Sequence, residues 1–550
     1  MKDIKTKIFC SFAALLIMFG AAVSCSEADE HYGASDEVKG RVSLWEMISQ
    51  NPELSVFASM LQHYSYDKLL SGDQTYTVWA PANEFLGGIS IDDSLTVARI
   101  ITSHIARYSY PASEKTSENS DIYMLNAKKQ AFTHSGAAYL MGGVELQSAN
   151  MAANNGILHI LNGKIPFFPN IWQTMEESRF DSIRNYLYSF NKREFLRSAS
   201  QQIDINEEGM IVYDSVFSVQ NTMWYVYNGA KGIGWLNNED SLYTMVLPDN
   251  NAWRETYEKY YPLFLPDPSL EQQDSMQAAN TRYAIVQDLV FRGEIANPGI
   301  FSTNDSLIST RGAVIHNPAH IFGGNEAVHT SNGWVYPTSN LQYDMTDSYV
   351  KHIKIEAEIY SGRLHDESRD MSTISNQWET SIPGISNNGY LFVRNLGKSS
   401  SETPTISFEI PGVLHTEYDI YAVFLSPSFV KPASQDTSVT RVKFEIQQWN
   451  RLGPKSDDRF WGNGKNWGPG YTLASFSGTG PEWVTEKRGI TVIKAAERYV
   501  FPFANVNETD NVFRIRVISA PSRTDTNSKD NKFNKEMRID YLLLVPSPSN

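Results

Sequence analysis

Tyr76-Thr77-Val78-Trp79-Ala80-Pro81-Ala82-Asn83-Glu84-Phe85 is the stretch on which the fold turns. Its opening residues are mostly β-branched or aromatic, which predicts a short strand over Thr75–Ala80 that Pro81 stops. Asn83-Glu84-Phe85 then opens a turn or helix. Upstream, Val42–Ile48 and Leu54–Leu61 carry apolar residues at helical spacing, with Ser43 placed to cap the first. Downstream, Val97–Tyr108 is again helical in period. Ala131–Thr133, Ala138–Leu140, Val144–Leu146 and Gly156–Leu161 alternate as strands.

Three motifs in this body come in a fixed order. The stretch quoted above is followed by Ser103-His104-Ile105 with Tyr108-Ser109, and then by Asn155-Gly156-Ile157-Leu158-His159-Ile160-Leu161. Leu125-Asn126-Ala127-Lys128-Lys129 makes the strand-turn between the last two. Together they resemble the two signatures and the central histidine motif of the fasciclin (FAS1) domain, over residues 42–168. The resemblance implies that His104 and His159 are structural, buried imidazoles that bond backbone and hold helix against sheet.

A second body, residues 178–341, is similar to a degenerate copy. Tyr243-Thr244-Met245-Val246-Leu247-Pro248-Asp249-Asn250-Asn251-Ala252-Trp253 restates the first signature and Asn332-Gly333-Trp334-Val335-Tyr336 the second. Arg282–Phe291 occupies the place of the helix before the histidine motif, and Asp288 stands near the histidine's position. An added stretch, residues 203–240, alternates like a hairpin and carries Trp224, Tyr225 and Tyr227. Insertions on a repeated scaffold are a common seat of individual function.

From residue 352 to 546 the period changes to two. Lys354–Ile359, Ile406–Ile410, Tyr418–Val423, Val442–Ile446, Val512–Val517 and Met537–Leu542 read as strands of a β-sandwich or jelly roll. The expected fold class is therefore α+β: two tandem fasciclin-like domains, the second degenerate, followed by an all-β sandwich. The Ile-Glu-Ala-Glu opening and Ile-Asp-Tyr closing strand resemble galactose-binding-like and carbohydrate-binding sandwiches. That resemblance implies a structural calcium on Glu356, Glu358 and Asp540, against the alternative of solvated edge carboxylates. No other cofactor is expected. Trp461, Trp467 and Tyr471 sit on a glycine-rich loop with Trp449 and Trp483 near in sequence. They read either as an aromatic platform for a sugar or peptide, or as packing over one end of the sandwich.

The start of the chain gives an address. Lys2, Lys5 and Lys7 precede the apolar run Ile8–Val23, which is short for a spanning helix and reads as a cleaved signal over residues 1–24. Ala22-Val23-Ser24-Cys25 resembles a lipobox, which implies acylation of Cys25 and anchorage in outer-membrane lipid through several acyl chains such as palmitate. Residues 25–41 form an acidic tether. Glu27, Asp29 and Glu30 within it resemble the export signal of surface lipoproteins of the Bacteroidetes group, so the chain is expected to face the cell exterior.

Charge narrows the partners. The net charge of −15 becomes −17 without residues 1–24, which hold three Lys and one Asp. Such a chain is ill suited to nucleic acid. Its two cysteines are Cys10, inside the signal, and Cys25, so no disulfide is expected. There is no Gly-x-Ser-x-Gly elbow, His-Glu-x-x-His helix or phosphate loop. Pro318 keeps His316 and His320 off a common helix face. No catalytic residue is identified, and the chain reads as a non-enzyme. The expectation is a surface lipoprotein that captures an extracellular glycan or peptide, as an accessory to a SusC/SusD-type TonB-dependent importer. Fasciclin-mediated adhesion to cells or matrix is the alternative.

Overall fold

The computed structural model describes residues 40–118, 120–197, 201–205, 211–214, 217–226, 231–322, 326–359, 361, 363–365, 372–395, 404–449, 471–472, 483–506, 511–520 and 533–547. The chain divides into two compact units. The first runs to Thr174 and takes in Leu236–Leu242 and His329–Gly333; the second is the remainder.

In the first unit, helices Leu44–Ser49, Ser55–His63, Tyr66–Ser71 and Ser94–Ser103 accompany a seven-stranded sheet. Ser43 caps the first helix, as expected from sequence, and Glu46 returns the bond in a reciprocal box. The strands are β1 (Tyr76–Pro81), β2 (Ile105–Arg107), β3 (Ser120–Tyr123), β4 (Lys129–Ser135), β5 (Ala138–Met141), β6 (Val144–Ala153) and β7 (Gly156–Leu161), in the order β2-β1-β7-β6-β5-β4-β3. β1 runs antiparallel to β2 and parallel to β7. All six residues of β1 are buried because both of its faces are covered. Val78 and Ala80 join the cluster of Leu44, Phe57, Leu61 and Ile101, while Trp79 enters a separate one with Phe132, Met141 and Leu161. Val97–Tyr108 is not one helix, contrary to expectation. It stops at Ser103, turns at His104 and continues as β2.

The second unit opens with two small antiparallel pairs, β8 (Asn191–Phe195) with β11 (Phe217–Asn221), and β9 (Gln201–Ile205) with β10 (Ile211–Asp214). The hairpin alternation expected within 203–240 is thus present. Next along the chain come β12 (Tyr243–Pro248), helices Asn250–Tyr260 and Gln273–Val286, β13 (Val290–Arg292) and the pair β14 (Ser306–Ile308) and β15 (Val314–His316). Then come β16 (Val328–Thr330), most of which is counted with the first unit, and β17 (Gly333–Thr338), all but its first residue in the second. The order β13-β12-β17-β16 restates β2-β1-β7-β6. Arg282–Phe291 also splits, its helix ending at Val286 and Val290–Arg292 becoming a strand.

Two six-stranded antiparallel sheets follow. One holds β18 (Ile353–Glu356), β20 (Ser372–Trp378), β21 (Gly389–Asn395), β23 (Glu417–Leu425), β27 (Ile490–Val500) and β29 (Met537–Pro546). The other holds β19 (Arg363–His365), β22 (Thr405–Ile410), β24 (Arg441–Gln448), β25 (Tyr471–Thr472), β26 (Trp483–Val484) and β28 (Phe513–Ser519). Alternate residues of both sheets, among them Val393, Ile420 and Leu542 of the first and Phe408, Phe444 and Val517 of the second, form one buried cluster.

Candidate functional site

The polar residues of the first body's motifs bind backbone. Thr77 Oγ1 donates to Tyr108 O at 2.7 Å and accepts from Tyr110 N–H at 2.9 Å. Asn83 Oδ1 accepts from Val56 N–H at 2.9 Å, and its amide donates to Pro52 O at 2.8 Å. Asn155 Oδ1 accepts from Leu44 N–H at 2.9 Å, and its amide donates to Leu70 O and Gly72 O, both at 2.8 Å. Gly156 has φ +150°, and a Cβ there would lie 1.8 Å from Tyr76 O, so only glycine fits.

His104 is fully buried. Its Nδ1 lies 2.7 Å from Ile100 O, and its Nε2 accepts from Ile165 N–H at 3.1 Å. His159 stacks on Trp79 with ring centroids 5.6 Å apart. Its Nε2 is 3.0 Å from Tyr110 O, and its Nδ1 accepts from Asn150 N–H at 3.3 Å. One ring nitrogen of each therefore donates and the other accepts, which only the neutral imidazole does. Burial lowers both pKa values to about 4. Both rings hold backbone together, the structural role that the resemblance implies.

The same bonds recur later in the chain. Thr244 Oγ1 donates to Gly293 O and accepts from Ile295 N–H, both at 2.9 Å. Asn250 accepts from Ser182 N–H and donates to Ser178 O, both at 2.9 Å. Asn332 accepts from Ile171 N–H at 2.9 Å and donates to Leu236 O at 2.8 Å and Asn238 O at 3.1 Å. At the histidine's place the chemistry differs. Buried Asp288 accepts from Ser309 Oγ and Ser348 Oγ, both at 2.6 Å.

One ion pair was not signalled by any motif. Lys128, 2% exposed, donates to Glu239 Oε1 at 2.8 Å and Ser331 Oγ at 2.7 Å. Asn170 Nδ2 also donates to that Glu239 oxygen, at 2.9 Å. Burial lowers the Lys128 pKa, and Glu239 opposes the shift.

Of the aromatic candidates, Trp461 and Trp467 lie outside the described residues. Tyr471 begins β25, its backbone paired with that of Ile446. Trp449 and Trp483 are partly buried on the cluster shared by the two sheets, with Trp483 edge-on to Phe444 at 5.1 Å. Those two rings pack. In the 203–240 stretch Trp224 is buried and Tyr225 exposed; Tyr227 is outside the described residues. Trp235, which sequence reading did not single out, is exposed and stacks on Trp224 at 6.1 Å.

Glu356, Glu358 and Asp540 do gather, around the turn Ser386-Asn387. Ser386 N–H donates to Asp540 Oδ1 at 3.1 Å, Ser386 Oγ to Glu356 Oε1 at 2.7 Å, and Asn387 Nδ2 to Glu358 Oε1 at 2.7 Å. Lys354 Nζ sits 2.8 Å from Glu356 Oε1. Burial, reinforced by Glu356 and Glu358 and opposed by Ser386 and Lys354, raises the Asp540 pKa to about 7. Among the described residues no three His, Cys, Asp or Glu side chains are placed to hold a metal ion. The acids instead fasten a turn whose Asn387 and Asn388 are both left-handed. Glu358 and Asp540 are not solvated edge carboxylates, since both are buried; Glu356 is partly exposed.

Cys25, Glu27, Asp29 and Glu30 lie outside the described residues. Among those described, no helix is long and apolar enough to cross a membrane.

Residues 52–165 match the family model of the fasciclin domain. A solved FAS1 domain pair from the insect cell adhesion molecule fasciclin I is similar at 15% identity. That alignment covers 54% of this chain and 99% of that one, with a TM-score of 0.20. The enzymatically active domain of tailspike protein 4 from bacteriophage CBA120 is similar at 9% identity over 34% of this chain and 19% of that one, with a TM-score of 0.15. No curated protein matches.

Proposed function

We propose that this chain, which carries a fasciclin domain at residues 52–165, is a non-enzymatic binding protein anchored by Cys25 on the outer face of a bacterial outer membrane. One observation carries the non-enzymatic part: His104 and His159, the ionisable hallmarks of the domain's motifs, are neutral and committed to backbone through both ring nitrogens. A histidine so held has no free nitrogen to take a proton from a nucleophile. Fasciclin domains are in general non-catalytic, which agrees.

The second body reads as a degenerate fasciclin-like copy, supported by the repeated bonding of Thr244, Asn250 and Asn332. The two six-stranded sheets with their common cluster read as a carbohydrate-binding type of sandwich. Glu27, Asp29 and Glu30 direct the lipoprotein outward. Tethering through acylated Cys25 raises the effective concentration of captured glycan or peptide near a SusC/SusD-type importer. Adhesion is the second reading, favoured by the fasciclin domain itself, which is known in adhesion proteins.

Affinity purification from detergent-solubilised outer membranes separates the two. Stable recovery of a TonB-dependent transporter supports uptake. Recovery of matrix or partner-cell proteins without a transporter supports adhesion and sinks the uptake reading.

A further inference from the structure

The second unit contains a cleft of about 460 Å³ bounded by the helix Gln273–Val286, the Ser348–Lys354 segment and the turn at Pro411-Gly412. That volume lies in the usual range for small-molecule sites, roughly 300–1,000 Å³. Its charge runs against that of the chain. Acids outnumber bases 62 to 47 overall, yet among the described residues Lys351, His352 and Lys354 line the cleft and no carboxylate does. Lys354 is already paired with Glu356, which leaves the exposed Lys351 as the cationic end, with the exposed imidazole of His352 beside it as a hydrogen-bonding group.

The rest of the lining suits a polyhydroxylated ring. Tyr283 and Tyr349 present aromatic surface, and Gln287 brings an amide with both donor and acceptor. The Tyr283 hydroxyl is buried without a hydrogen-bond partner, an arrangement that costs free energy until something bonds it. Lys231 lies over the Tyr283 ring, 5.3 Å from its centre, adding positive potential beside that hydroxyl.

Building on the binding reading above, we infer that this cleft takes a carboxylated sugar of the hexuronic acid class. The carboxylate meets Lys351 and His352, the ring lies against tyrosine, and a sugar hydroxyl partners Tyr283 Oη. A neutral hexose would leave the cationic end unanswered. An acidic peptide would leave the tyrosine hydroxyl and Gln287 amide without their matching ring hydroxyls.

The test is calorimetric titration of the full chain with methyl glucuronide, methyl glucoside, inorganic phosphate and tetraglutamate. Methyl glucuronide should bind at least about tenfold more tightly than the other three, the loss expected when a charged or hydrogen-bonding match is missing. Lys351→Gln with His352→Gln should weaken glucuronide binding by about tenfold with the melting temperature unchanged, and Tyr283→Phe by about fivefold with the melting temperature of the free protein raised, since the unpaired buried hydroxyl is gone. Equal binding of the glucoside, phosphate or tetraglutamate overturns the assignment, as does unaltered binding by both variants. A glycan array separates the two layers of the argument. An array ligand that the Lys351→Gln, His352→Gln protein still retains sinks the cleft and leaves the binding reading standing. Silence of the wild-type protein on a glycan and peptide array and in the titrations sinks both.

Discussion

His104 and His159 make the first body acid-sensitive, and the sign follows from their depressed pKa values. Folded, each titrates near 4; unfolded, near 6.5. The unfolded chain therefore binds more protons between those values, and stability present above about pH 6.5 drains away toward pH 4. The loss is on the order of 3 kcal/mol per histidine if the whole shift is expressed. Urea midpoints measured at pH 7 and pH 4.5 should fall accordingly, and His159→Gln should fall less. Asp540 works in the opposite direction. Its pKa is raised, so its contribution is full below about pH 4 and lost as pH climbs through about 7. Asp540→Asn should match wild type at pH 4 and exceed it by about 2 kcal/mol at pH 8; a variant no more stable at pH 8 contradicts this account. Gly156→Ala drives a methyl into Tyr76 O and should cost more than about 3 kcal/mol. Gly88→Ala, at φ +80° in open space, should cost only about 1 kcal/mol in the same urea titration.

At the scale of elements, the strands that centre the first sheet were legible because nothing competes with their signal. Gly156–Leu161 matches its expected bounds, and Thr75–Ala80 is displaced by one residue. The two expected helices that failed, Val97–Tyr108 and Arg282–Phe291, failed for one reason. In each, a helix reverses into a strand across only two or three polar residues set between apolar pairs, Thr102-Ser103-His104 between Ile100-Ile101 and Ile105-Ala106, and Gln287-Asp288 between Ile285-Val286 and Leu289-Val290. Helical and alternating periods cannot be told apart across so few residues. The turn Leu125–Lys129 was read correctly, but nothing local announces that Lys128 meets Glu239, 111 residues away. Buried partners so distant leave no period in the sequence. Lys128→Ala strands the Glu239 carboxylate and should destabilise by about 3–5 kcal/mol in chemical denaturation. A loss below about 1 kcal/mol would mean that water reaches Glu239.

For the molecule as a whole, sequence legibility was best where motifs repeat and poorest where chemistry is assembled from distant strands. The Glu356–Glu358–Asp540 gathering was anticipated, but its work in fastening Ser386-Asn387 depends on a turn 30 residues from Glu356. The proposed membrane anchorage rests on Cys25. Cys25→Ala should leave the fold intact and move the protein from the membrane to the soluble fraction after ultracentrifugation. Replacing Glu27, Asp29 and Glu30 with neutral amides should keep it membrane-bound yet shield it from protease added to whole cells. Unchanged digestion would remove the export role of the acids. The asparagine–glycine steps bear on how the molecule ages. Such steps cyclise when the glycine nitrogen attacks the asparagine side-chain carbonyl and expels ammonia, and water then opens the cyclic imide to leave an acid. Asn155 and Asn332 stand before Gly156 and Gly333 with their side chains pinned by three hydrogen bonds each, so the attacking geometry is denied. Asn162 and Asn388, exposed ahead of Gly163 and Gly389, have no such restraint among the described residues. Among the described residues chemical wear therefore falls on exposed steps such as these, one of them on the turn beside the buried acids, while the seams that repeat through the chain keep their amides.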